Sequence, residues 1–257
     1  MLSQRKRNIR VIARLDVKGE NLIKGVNLEG LRVIGDPNRY ALEYYKQNAD
    51  EILYIDPVAT LYGRSKLTEI IKKTCKNVFI PITVGGGINS LNDVEDLLKS
   101  GADKVAVNTG IVKNPKLINE IANEFGAQCM VGSIEAKKIG HLSWEIYTDS
   151  GREKTNIDAI EWAKKIEDLG CGEILVTSID REGTCSGFEI DLIKKILDET
   201  SVPIIASGGF GDLKHLDILS SVNNLDALAF ADCLHYKKIS ISEIKNEINK
   251  NHGITRL

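Results

Sequence analysis

Short β-branched runs alternate with amphipathic stretches along this 257-residue chain. That alternation predicts an α/β fold, a (β/α)8 TIM barrel built from two similar half-barrels. Three observations carry the prediction: about eight strand–helix units in about 250 residues, strands apolar throughout rather than on alternate positions, and an internal repeat of about 120 residues.

The strand-like runs fall at 10–16 (RVIARLD), 51–56, 78–84, 104–108, 129–135, 173–177, 203–207 and 227–230. Between them, apolar residues recur at three- and four-residue spacing, as in LNDVEDLLKS from Leu91, IDAIEWAKKIEDL from Ile157 and IDLIKKILDET from Ile190. That spacing predicts helices packed on one face. A doubly wound open sheet is the alternative; it would show fewer strands and a glycine-rich first turn.

The repeat pairs ADEILYID from Ala49 with CGEILVTS from Cys171, and IPITVGGGINSLNDV from Ile80 with VPIIASGGFGDLKHL from Val202. ADKVAVNT from Ala102 pairs with LDALAFAD from Leu225, and ARLDVK with GSIEAK. Residues 1–257 therefore read as one barrel domain of two four-unit halves, with Asp16 and Glu135 as counterparts on the first and fifth strands.

Composition narrows the function. The chain is 42% hydrophobic and 27% charged, with net charge −2 and a sequence pI near 6.1. This is a soluble, globular balance that offers no basic groove for nucleic acid and no membrane-binding face. SQRKRNIR near the N-terminus is basic but is followed by no apolar signal region, so the expected compartment is the cytoplasm. The five cysteines form no C-x-x-C pair, and the four histidines form no ligand-spaced cluster. Reduced thiols and no metal site are expected, and no cofactor is called for.

Barrel active sites form at the C-terminal strand ends. Asp16 and Glu135 end strands one and five, and two acids across a pocket suit general acid–base work. A strand-end acid can equally cap a turn or meet solvent. Gly85-Gly86-Gly87 and Gly208-Gly209 each precede a helix and would let backbone N–H groups approach a phosphate. Asn108-Thr109 and Ala231-Asp232 end the next strands. Two such sites would take a doubly phosphorylated small molecule, although Asp232 would repel an anion by about 4 kcal/mol at about 4 Å. Asp232 must cap a helix, or that side holds no phosphate in the usual way. At the other rim, Arg10, Glu51, Lys104 and Glu173 begin strands one, two, four and six. They could be solvated strand starts or one paired ring.

With those residues in view, the chain resembles the cyclase subunit family of imidazole glycerol phosphate synthase. The resemblance rests on RLDVKGENLIKGVNLEGLRVIGDP, FIPITVGGGI, GADKVAVNTGIVKNP, GEILVTSIDREGT, VPIIASGG and LHYKKISISEIKNEI. It implies a lyase of histidine biosynthesis, working with a glutaminase subunit. Ammonia would enter at the barrel bottom and meet a ribulosyl aminoimidazole carboxamide nucleotide at the top, giving imidazole glycerol phosphate and a purine precursor.

By position, the resemblance makes Asp16 the principal acid/base and Glu135 the second. Lys24 would lie on a loop that closes over substrate. Gly87, Asn108 and Thr109 would hold one phosphate; Thr177, Gly183, Gly209 and Ala231 would line the other half. Arg10, Glu51, Lys104 and Glu173 would form the ammonia gate, and Asp103 would contact the glutaminase. The departures lie at the top: Glu135 and Glu182 stand where the family has Asp, Asp232 where it has Ser, and Arg14 where it has Cys. They leave room for a paralogue that aminates another acceptor, such as a nucleotide sugar. A non-catalytic conduit for a glutaminase is a third reading.

Overall fold

The computed structural model describes residues 8–59, 67–222 and 224–256; most of the basic N-terminal stretch lies outside them. The strands are β1 (Arg10–Lys18), β2 (Asn21–Val26), β3 (Glu29–Gly35), β4 (Glu51–Ile55), β5 (Ile82–Gly85) and β6 (Lys104–Val107). They continue with β7 (Met130–Gly140), β8 (Ser143–Thr148), β9 (Glu153–Asp158), β10 (Glu173–Ser178), β11 (Ile204–Ser207) and β12 (Ala227–Phe230).

Eight of these close the predicted barrel. The parallel order is β1-β4-β5-β6-β7-β10-β11-β12, and β12 pairs back onto β1. Asp16 on β1 and Glu135 on β7 lie four strands apart in either direction, which places them across the barrel. The strands are buried on both faces, which is why their sequences are continuously apolar. Ile12, Leu53, Val131, Leu175 and Ile205 fill the interior. The alternate positions, such as Val11, Ala13, Leu15 and Ile174, meet the helices.

The helices begin where side chains can cap them. Asp158 accepts from the backbone N–H groups of Ile160 and Glu161 at 2.8 and 3.1 Å and opens the helix Ala159–Asp168. Ser90 does the same for Leu91–Lys99, accepting from Asp93 N–H. Leu192, Ile193 and Ile196 are the buried stripe of Ile190–Glu199, each stabilising the shell by about 2 kcal/mol.

Two hairpin additions depart from the simple repeat. After Asp16 the chain continues antiparallel through β2 and β3, and after Glu135 it does the same through β8 and β9. β7 therefore runs to Gly140, beyond the expected end at Glu135. The third barrel strand is also shorter than expected, starting at Ile82 rather than Val78. Pro81 has no N–H to give to a ladder, while its carbonyl accepts from Ile52 N–H at 2.9 Å.

Candidate active site and ammonia gate

The four rim charges at the strand starts form one ring. Arg10 pairs with Glu51 at 3.0 Å and also with Glu173, and Lys104 reaches both acids at 2.8 Å. Thr83 donates its hydroxyl to Glu51 at 2.5 Å. Each acid thus meets two cations, which is what makes burying Glu51 and Glu173 tolerable. Asp103, just outside the ring, is exposed and accepts from Ile82 N–H at 2.8 Å. Asp226 does the same for Ile204 N–H at 3.1 Å, so part of the role of Asp103 is to tie neighbouring strands.

At the opposite rim, Arg14 and Asp16 share a face of β1 because strand side chains alternate with period two. Both are buried. Arg14 Nε donates to Asp16 Oδ1 at 2.9 Å, and Arg14 Nη1 donates to Thr177 Oγ1 at 3.0 Å and Ser207 Oγ at 3.1 Å. Burial alone would lower the guanidinium pKa, but Asp16, Glu182 and Glu135 more than compensate and raise it.

Glu135 is also buried, and its Oε2 has no hydrogen-bond partner among the described residues. Burial raises its carboxyl to about 7, against the opposing pull of Arg14, the Gly151 N–H and Arg152. A narrow cavity of about 40 Å³ runs from this carboxyl to the first glycine turn. Its lining includes Gly86, Gly87, Asn108, Thr109, Ser133 and Glu135. Gly87 has φ of +68°, and a Cβ there would lie 2.9 Å from the Ala59 methyl, so the turn requires glycine. Asn108 donates to the Tyr147 carbonyl at 3.1 Å, and its buried Oδ1 has no partner among the described residues. The structure thus joins Gly87, Asn108 and Thr109 to Glu135 in one space.

The second half is built differently. Lys24 is not on a loose loop but buried on β2, ion-paired to Glu182. Burial would push Glu182 up, yet Lys24 and Arg14 outweigh it and hold the carboxyl below its usual range. Gly183 packs against the Gly25 carbonyl, 2.5 Å from where a Cβ would stand. Asn27 N–H also donates to the Glu182 carbonyl at 2.8 Å, so the β2–β3 hairpin is fastened across the mouth. Gly209 makes room for Gly187, whose N–H donates to the Gly209 carbonyl at 2.8 Å. Ala231 precedes the short helix Asp232–His235. The Asp232 side chain does not cap that helix. It accepts from Lys238 Nζ at 2.7 Å and from Cys185 Sγ at 3.2 Å.

His235 escaped sequence reasoning because a lone histidine carries no spacing signal. It is buried beside this half, its Nδ1 is 2.7 Å from the Tyr44 hydroxyl, and burial pushes its pKa down to about 4. Among the described residues no group of three His, Cys, Asp or Glu side chains could hold a metal ion. No helix there is long and apolar enough to cross a membrane.

The family model for histidine biosynthesis proteins matches residues 10–240. The chain is similar to the imidazole glycerol phosphate synthase subunit HisF of Legionella pneumophila, 59% identical over 210 residues, covering 82% of this chain and 99% of that protein. It is similar to HisF of Clostridium botulinum (strain Langeland / NCTC 10281 / Type F), 43% identical over 249 residues, covering 96% and 98%. HisF of Bacillus cereus (strain Q1) is 44% identical over 248 residues, again covering 96% and 98%. The chain belongs to the histidine biosynthesis protein family, with the HisF subunits of imidazole glycerol phosphate synthase.

Proposed function

We propose that this chain is the ammonia-dependent cyclase subunit of imidazole glycerol phosphate synthase, paired with a glutaminase subunit and working in the cytoplasm. Its substrate is a ribulosyl aminoimidazole carboxamide nucleotide with two phosphates. The observation that carries the reading is the arrangement along one axis: a paired charge ring below, an apolar interior, and two acids facing each other above.

Ammonia enters through the ring of Arg10, Glu51, Lys104 and Glu173, and Asp103 belongs to the glutaminase-facing rim. The apolar layer of Ile12, Leu53, Val131, Leu175 and Ile205 admits neutral ammonia and rejects ammonium, because an unpaired charge in such surroundings is strongly disfavoured. At the mouth, Gly87, Asn108 and Thr109 hold one phosphate. Lys24, Thr177, Glu182, Gly183, Gly209 and Ala231 line the other half, where Lys238 offsets the charge of Asp232.

Addition of ammonia to the ribulosyl ketone needs a proton delivered to the carbonyl oxygen and another taken from the new C–N nitrogen. Glu135, with its carboxyl raised to about 7, suits delivery at neutral pH. Asp16, ion-paired to Arg14, suits the base role. The HisF relatives support this activity, and they lend no support to a different acceptor or to a conduit without chemistry.

The test is turnover of the purified chain with an ammonium salt and the authentic ribulosyl nucleotide. Imidazole glycerol phosphate should form, and Asp16→Asn should reduce kcat by at least about 100-fold, the usual weight of a general base. No turnover with the unmodified chain would sink the proposal.

A further inference from the structure

The half-barrel repeat predicts equal surroundings for Asp16 and Glu135, and the structure breaks that equality at the residue two before each acid. Two residues before Asp16 stands Arg14; two residues before Glu135 stands Ser133. Both positions face the interior, since strand side chains alternate. Ser133 leaves open space, and it lines the same cavity as Glu135. Arg14 fills its side with a buried cation.

The guanidinium reaches far. From β1 it passes the edge of β12 and bonds Thr177 on β10 and Ser207 on β11. The inward residue of β12 level with Ser207 is Ala229, whose methyl side chain takes up little of the space between the strands. Arg14, Asp16, Thr177 and Ser207 are all buried, so water competes little for these bonds and the fork is rigidly placed. We propose that Arg14 is a positioning residue that clamps Asp16 to strands β10 and β11 while leaving Glu135 without a side-chain hydrogen-bond partner among the described residues, so that the two acids of a symmetric barrel take different tasks. The proposal rests on the reading of these acids as the acid–base pair of the cyclase.

The surroundings of Glu135 agree with this division. On β1 it faces Arg14 and Asp16; on the segment between β8 and β9 it faces Arg152 and the Gly151 N–H. Arg14 and Arg152 favour its ionised form and Asp16 opposes it. Arg14 is therefore placed to set both the orientation of one acid and the ionisation of the other.

The experiment compares Arg14→Met and Arg14→Lys with the unmodified chain. One readout needs no substrate: the titration of the Glu135 carboxyl by 13C NMR of glutamate-labelled protein, assigned with Glu135→Gln. The other is ammonia-dependent kcat and KM across pH. Arg14→Met should move the Glu135 midpoint upward and lower kcat about 100-fold, the scale of an ångström misplacement of a catalytic group, with KM changed far less. Arg14→Lys keeps the charge but loses the fork; it should leave the midpoint near that of the unmodified chain and recover part of kcat. Should Arg14→Met not fold, Thr177→Val with Ser207→Ala removes the anchors while keeping the Arg14–Asp16 pair, and kcat should fall at least tenfold at constant midpoint. A folded Arg14→Met with unchanged midpoint and kcat overturns the proposal, as does unchanged kcat in the anchor variant. If the midpoint responds but no form of the chain turns over the ribulosyl nucleotide, the cyclase reading fails while the placement of Arg14 stands.

Discussion

Glu135→Gln should make the protein relatively more stable as pH rises. Burial raises this carboxyl from 4.5 to about 7. In the unfolded chain it ionises near its ordinary value, so between the two values folding takes up a proton. Stability therefore falls as pH rises through this window, and the full penalty is present above about pH 7. A shift of about 2.5 units at about 1.4 kcal/mol per unit corresponds to about 3 kcal/mol. Gln keeps the shape but cannot ionise. Any cost of burying the amide is the same at every pH, and it cancels when two pH values are compared. Urea unfolding of both proteins at pH 5 and pH 8 measures the difference. The variant should gain about 2–3 kcal/mol relative to the unmodified chain between those values, since pH 5 already lies inside the window, or about 5–10 °C in Tm for a chain this long. A stability gap that does not change with pH, or that changes in the other direction, would refute the assignment of a buried acid whose ionised form is penalised by desolvation.

Lys24→Met leaves Glu182 buried without its cation; it should destabilise by about 3–5 kcal/mol in urea unfolding, and adding Glu182→Leu should restore most of the loss. Arg10→Ala opens the ring beneath the barrel. In the complex with the glutaminase it should reduce glutamine-dependent turnover more than turnover with added ammonium salt, and equal reductions would count against the gate. Asn108→Asp sets a carboxylate in the first anion cradle. Repulsion of about 4 kcal/mol at about 4 Å should raise KM at least about 100-fold in the folded variant, and an unchanged KM would remove Asn108 from the phosphate site.

The barrel strands were legible because each is buried on both faces, and a run such as VIARL can serve no exposed role. The helices were legible from stripes such as Leu192, Ile193 and Ile196. The hairpins were not. β3 has a mostly exposed pattern, with Val33 65% exposed, and β9 reads Glu153–Asp158 with mainly polar, exposed residues. Strands that lie over a mouth rather than inside a core carry neither a continuous apolar run nor strict alternation, so periodicity passes them by. The tip of the first hairpin is held instead by Leu28 against Tyr147 and Ile179, a contact between three distant segments that no local window contains.

The two glycine turns show where sequence symmetry stops being informative about a site. Gly87 and Gly209 occupy equivalent positions, both have positive φ, and both would clash with a neighbour if given a Cβ. The neighbours decide their use. Gly87 faces the Ala59 methyl and lines a cavity, so its turn opens on free space. Gly209 faces the Gly187 backbone, and its carbonyl is already bonded there. Asp232 follows the same logic: an acid near a phosphate would be repelled, but here Lys238 holds it at 2.7 Å, and the pair presents little net charge to a ligand. With Lys24 paired to Glu182 and Arg14 to Asp16, the side of the mouth near β1 and β12 is a set of matched charges, while the side near β5, β6 and β7 is an open cradle leading to Glu135, whose Oε2 has no hydrogen-bond partner among the described residues. On the proposed reading, a substrate with two similar phosphates would meet two dissimilar ends, and its orientation across the mouth would follow from that difference rather than from the repeat.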